Sequence, residues 1–158
     1  MRKLYLWLVA GVLLLAIGLY VYYASTRNIE GYIDPSDTEL VTLGRQVYSM
    51  QCASCHGVNL EGEPNWRQRK QNGRLPAPPH DVSGHTWHHP DQVLFDIVKN
   101  GLVPGVTAPA GYESDMPAYA DILTDKEIRA SLAYIKSSWP DKARSVQTQL
   151  TQEYQKVQ

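Results

Sequence analysis

Cys52-Ala53-Ser54-Cys55-His56 is the stretch on which the reading of this chain turns. Two thiols three residues apart, followed at once by an imidazole, suit covalent haem attachment. Each thiol adds to one vinyl group, and the histidine turns up to bind the iron. The 158 residues hold no other cysteine, so attachment consumes both thiols and leaves none for a disulfide. The competing readings are a redox Cys-x-x-Cys pair and half of a zinc site. A zinc site asks for further cysteines or closely spaced histidines. A thioredoxin-like site asks for a βαβ pattern, whereas the flanks here read as helix. The pentapeptide therefore predicts one covalent haem c, with Cys52 and Cys55 as thioether donors and His56 as the proximal iron ligand.

Upstream, Pro35 to Glu39 opens a helix, with Ser36 as N-cap and Glu39 closing a capping box. Leu40, Leu43 and Val47 form its apolar face, with Gly44 and Tyr48 beside it, and it delivers the chain into Cys52. A glycine inside a helix costs about 1 kcal/mol relative to alanine, so Gly44 predicts that another backbone crosses closely there. Further upstream, Leu4 to Tyr23 is an uncharged run of about twenty residues, enough to cross a bilayer core as a helix. Arg2 and Lys3 precede the run and Tyr5, Trp7, Tyr20, Tyr22 and Tyr23 sit near its ends, as positive-inside flanks and aromatic belts do. A cleaved signal peptide is the alternative, but the run is long and Tyr22-Tyr23-Ala24 makes a poor cleavage site. The expectation is an uncleaved anchor, with the rest of the chain on the outer face of a bacterial cytoplasmic membrane.

Downstream of the motif, residues 57 to 89 read as irregular. They carry a basic cluster (Arg67, Arg69, Lys70, Arg74), a rigid Pro76-Ala77-Pro78-Pro79 run and four histidines, His80, His85, His88 and His89. A second helix is predicted from Pro90 to Asn100, with Gly101 as its stop. A Gly/Pro-rich loop runs to Met116-Pro117. A last core helix starts at Thr124 with a capping box to Glu127, shows Ile128, Leu132 and Ile135 on its inner stripe, and ends before Pro140. The polar tail carries a weak stripe, Ala143, Val146, Leu150, Tyr154 and Val157, which reads as a frayed surface helix or a partner-binding one. No strand pattern, repeat or phosphate-cradling loop is legible. With 15 basic and 16 acidic residues, composition gives no support to nucleic-acid binding.

From Ser36 to Pro140 the chain resembles a class I cytochrome c. The resemblance rests on Gly44 and Tyr48, the Cys52-to-His56 motif, Met116-Pro117 and Leu132-Ala133-Tyr134-Ile135-Lys136. More narrowly, it is similar to the membrane-tethered, single-haem cytochromes of bacterial respiratory chains. The resemblance implies an all-α, haem-wrapped domain whose first and last helices cross at Gly44 and Tyr48. It implies that the Pro78 backbone carbonyl accepts the axial histidine's ring N–H, and that His80 stands where an apolar residue lines the haem. Ser131 stands where the last helix often carries leucine. The predicted organisation is an anchor over 1–23, a linker over 24–35, a cytochrome c domain over 36–140 and a tail over 141–158.

Met116 is the leading sixth ligand, because Met1 is terminal and Met50 precedes Cys52 too closely to swing across a haem. A thioether there favours ferrous iron, and core filler is the alternative role. The four histidines offer bis-histidine ligation or a second metal site, against ordinary hydrogen-bonded loop residues. Trp66 and Trp87 suit the haem rim or its propionates. The basic cluster suits either the steering of an acidic redox partner or a solvated loop. The expected function is single-electron transfer to and from redox proteins, such as a quinol-oxidising complex and a terminal oxidase or reductase, without substrate chemistry. The same chain also fits a fixed haem subunit of one such complex. A haem-based sensor or small-ligand catalyst with a displaceable sixth ligand is the alternative.

Overall fold

The computed structural model describes Trp7, residues 11–20 and residues 32–158. Trp7 and residues 11–20 are helical and exposed, and the rest of the expected anchor lies outside the described residues. Among the described residues no helix is long and apolar enough to cross a membrane. The chain divides into two units, Met1–Tyr32 and Ile33–Gln158.

The second unit is all-helical. Its elements are α1 (Thr38–Gln51), the single turn α2 (Ala53–His56), a 3-10 turn (Thr86–His88), α3 (Asp91–Asn100), α4 (Asp125–Ser137) and α5 (Asp141–Lys156). The α1 cap differs from expectation. Asp37, not Ser36, is the N-cap, and its carboxylate accepts from the N–H groups of Glu39 and Leu40. Ser36 instead donates its hydroxyl to Asp34 at 2.7 Å. Two aspartates flank that serine, and a charged oxygen outcompetes a hydroxyl for the free amides of the first turn. The Thr124–Glu127 capping box is present at α4, and Gly101 closes α3 at φ +79°.

Helices α1 and α4 cross at Gly44. A Cβ there would stand 1.8 Å from the carbonyl oxygen of Ala130, so only glycine lets the two backbones meet. Tyr48 and Tyr134 pack beside the crossing, ring centroids 5.3 Å apart. Helix α4 buries far more than one stripe: Ile128, Ala130, Ser131, Leu132, Ala133, Ile135 and Lys136 are all inside. Ser131 fits there because its hydroxyl is spent on the Ile128 carbonyl, 2.8 Å away.

The tail is not the frayed apolar stripe that its pattern suggests. Helix α5 buries Ala143, Gln147 and Thr151, while Val146 and Val157 face outward. The polar face turns inward because it meets a buried ion pair. Lys136 Nζ lies 2.8 Å from both Asp91 carboxylate oxygens, and neither side chain reaches solvent to any extent. Gln147 Nε2 donates to the same carboxylate at 2.7 Å, as does the Ile33 backbone N–H at 2.9 Å. Thr151 Oγ1 accepts from the Asp91 N–H. Three donors thereby satisfy a carboxylate that would otherwise be costly to bury, and Thr151 satisfies the backbone N–H of the same residue.

Candidate haem site

Helix α1 runs straight into the motif. The last turn of α1 ends at Cys52, α2 carries Ala53 to His56, and the His56 N–H still donates to the Cys52 carbonyl at 2.9 Å. Cys52 is half-buried and packs on the main core; Cys55 is exposed. Burial pushes the Cys52 thiol up to about 11, with Cys55 contributing. A redox Cys-x-x-Cys pair shows the opposite, a thiol depressed towards neutrality. The surroundings of Cys52 are therefore unlike those of an exchange-active thiol.

His56 is 8% exposed, and its Nδ1 lies 2.8 Å from the Pro78 carbonyl oxygen. A carbonyl can only accept, so Nδ1 carries the proton and Nε2 keeps its lone pair. Burial lowers the basicity of His56, which keeps the ring neutral as a ligand must be. The residues thus fit a haem iron bound at Nε2.

The Pro78 carbonyl is itself tightly held. Glu63 brackets Ala77, its N–H donating to the Ala77 carbonyl (2.9 Å) and its carboxylate accepting from the Ala77 N–H (2.6 Å). His80 donates its N–H to Leu60 and accepts at its carbonyl from Trp139 Nε1, 2.7 Å away. A Cβ on Gly62 would lie 2.5 Å from Pro79 N, so the loop can lie against this run only with glycine at that point. Trp139, fully buried at the end of α4, is a part of the site that the sequence reading passed over. Its signal was weak, a tryptophan directly before a helix-ending proline. Tyr119 was also passed over; its hydroxyl donates to the Gln51 carbonyl, 2.8 Å away, one residue before Cys52.

His80 stacks on His56, with ring centroids 4.0 Å apart and planes 19° from parallel. Its Nδ1 is 2.8 Å from Thr86 Oγ1, and burial, then His56 and His85, depress its basicity strongly. His80 thus lies against the flat face of the His56 ring rather than beyond its Nε2. The other histidines pair with tryptophans and each other. His85 stacks on Trp66 at 5.5 Å, His88 lies 3.6 Å from Trp87, and His85 and His89 sit edge to face. Among the described residues, no group of three or more His, Cys, Asp or Glu side chains could hold a metal ion. Trp87 donates its N–H to the Val82 carbonyl, and Trp66 is capped by Arg67 at 4.0 Å, so each already has a partner within the loop.

Met116 is half-buried and packs against the same core as Cys52 and Leu43, whereas Met50 is 69% exposed. Two members of the basic cluster, Lys70 and Arg74, pair with carboxylates at the surface. Lys70 lies 3.3 Å from Glu63 and 3.8 Å from Asp115; Arg74 reaches Asp115 at 2.5 Å and Glu113 at 3.4 Å.

An all-helical wrap around a Cys-x-x-Cys-His turn, its histidine keyed to a proline carbonyl, defines a c-type haem protein. Residues 41–139 match the family model described as cytochrome c, and the chain belongs to that family. As a member of that family it carries covalently bound haem c. A protein named nitrite reductase, from Stutzerimonas stutzeri, is 30% identical over 103 residues, covering 61% of this chain and 15% of that protein. The chain thus corresponds to a minor part of that relative's length. No solved structure matches.

Proposed function

We propose that the chain is a class I cytochrome c, tethered to the membrane by residues 4–23, that carries single electrons between respiratory complexes at the outer face of a bacterial cytoplasmic membrane. His56 and Met116 are the residues that would hold the haem iron. The observation that carries this reading is the placement of the two side chains: His56 is oriented by Pro78 and kept neutral by burial, and Met116 lines the same core as Cys52. Bound there, haem c supplies one-electron exchange between ferric and ferrous iron. The chain's own part is to hold Nε2 towards the metal, present a thioether that favours the ferrous state, and exclude water from the pocket. It carries out no chemistry on a substrate. The likeness to a protein named nitrite reductase covers 15% of that protein's length, and the remainder has no counterpart in the matched residues.

The test is the holoprotein extracted from membranes. We expect an intact mass that retains residues 1–23, haem that stays bound on denaturing gels, and low-spin six-coordinate iron in both oxidation states. Met116→His should keep six-coordination and lower the potential, and Met116→Ala should open the iron to carbon monoxide. A resting protein that already binds carbon monoxide freely refutes the carrier reading in favour of a sensor or small-ligand catalyst. A mature chain lacking residues 1–23 and released by salt alone refutes the anchor.

A further inference from the structure

Between the haem motif and Pro78, Lys70 and Arg74 join one ionic chain with Glu63, Glu113 and Asp115. The turn at 70–74 closes on itself: the Lys70 N–H donates to the Arg74 carbonyl and the Gly73 N–H to the Lys70 carbonyl. Lys70 and Arg74 are thereby presented together. Lys70 meets Glu63, whose carboxylate also accepts from the Ala77 N–H, next to the Pro78 carbonyl that orients His56. In the other direction Lys70 and Arg74 meet Asp115, and Arg74 meets Glu113. Asp115 immediately precedes Met116. The loop bearing Met116 is pinned at its ends. Thr107 Oγ1 donates to the Gly101 carbonyl, and the N–H groups of Tyr119 and Ala120 reach back to α3. Between those ends, the loop meets the turn that carries Lys70 and Arg74, and Arg69 lies 5.8 Å over the Tyr112 ring.

We propose that Lys70 and Arg74 are positioning residues. With Glu63, Glu113 and Asp115 they form an ionic latch that ties the Met116 loop to the Pro78 segment and so holds the methionine sulfur at the iron. The inference rests on the reading of Met116 as sixth ligand. Each pair is partly exposed, so each contributes modestly, but the four bridges share Lys70, Arg74 and Asp115 and act as a network. Losing it should raise the rate of ligand loss about tenfold.

The experiment uses ferric holoprotein and imidazole as the competing ligand. The rate of replacement is measured at low salt and at about 1 M sodium chloride, where the Debye length falls to about 3 Å. The wild-type protein should show the weak red-edge charge-transfer band of sulfur ligation, and its replacement rate should climb with salt. The double variant Lys70→Gln/Arg74→Gln should react about tenfold faster at low salt and lose the salt response. Arg74→Lys should restore most of the wild-type rate, because charge rather than shape carries the latch. A wild-type rate that ignores salt overturns the latch, and this arm needs no variant. Equal rates in the wild type and the double variant, with the band present in both, also overturn it and leave Met116 as the ligand. Absence of the band from the wild type overturns the ligand reading and the latch with it.

Discussion

Gly44→Ala tests the helix crossing on which the haem crevice is built. The new Cβ would fall 1.8 Å from the Ala130 carbonyl oxygen, 2.5 Å from its carbon and 3.0 Å from Tyr134 Cβ. Two opposing terms decide the outcome. Alanine is the better helix former by about 1 kcal/mol, and Gly44 lies in the interior of α1. Against this, the nearest atoms are backbone atoms of α4, which no side-chain rotation can clear. The helices must part by roughly 1.5 Å to restore ordinary contact distances, and overpacking of a tight core typically costs 1–3 kcal/mol, occasionally more. The seam also holds Val47, Tyr48, Ile128 and Leu132, so parting loosens contacts along its length. We expect a net loss of about 2 kcal/mol, or a Tm lower by roughly 5–15 °C, read by thermal unfolding of the holoprotein. Covalent attachment should keep the haem on the chain. A variant as stable as the wild type, or more stable, would mean that the crossing is not backbone-on-backbone at Gly44.

Lys136→Met should cost about 3–5 kcal/mol in denaturant unfolding, because Asp91 would keep a buried charge without its cation. Converting both partners, Lys136→Met with Asp91→Asn, should recover a good part of that loss, and no recovery would argue that the pair is not coupled. Glu127→Gln tests the α4 cap by pH. Backbone and hydroxyl donors at Thr124 hold the Glu127 carboxyl below its ordinary 4.5, so its contribution to stability is present above that value and fades as pH falls through the folded value. Glu127→Gln should therefore lessen the loss of stability between about pH 6 and pH 3, and an unchanged acid slope would dismiss the cap as a source of it.

Much of the site was legible because it is local. Cys52 to His56 is a contiguous motif whose chemistry depends on covalent spacing, and Thr124 with Glu127, or Gly101 after Asn100, are signals within one helical turn. Gly44 announced a close crossing because a glycine inside a helix has to be offset by something outside it. The sequence by itself thus determined the helical class and the covalent haem. Tertiary structure alone decided which charges were surface and which were partners. Lys70 and Arg74 read as a solvated or steering cluster, yet their carboxylates arrive from as far as 41 residues along the chain. Asp91 and Lys136 are 45 residues apart, and no periodicity marks that pairing. The tail misled for the same reason: Gln147 and Thr151 look like solvent-facing residues until a buried carboxylate gives them something to bind. Apolar periodicity records the removal of carbon from water, a property each residue carries by itself. A buried polar contact is favourable only once the fold supplies its partner.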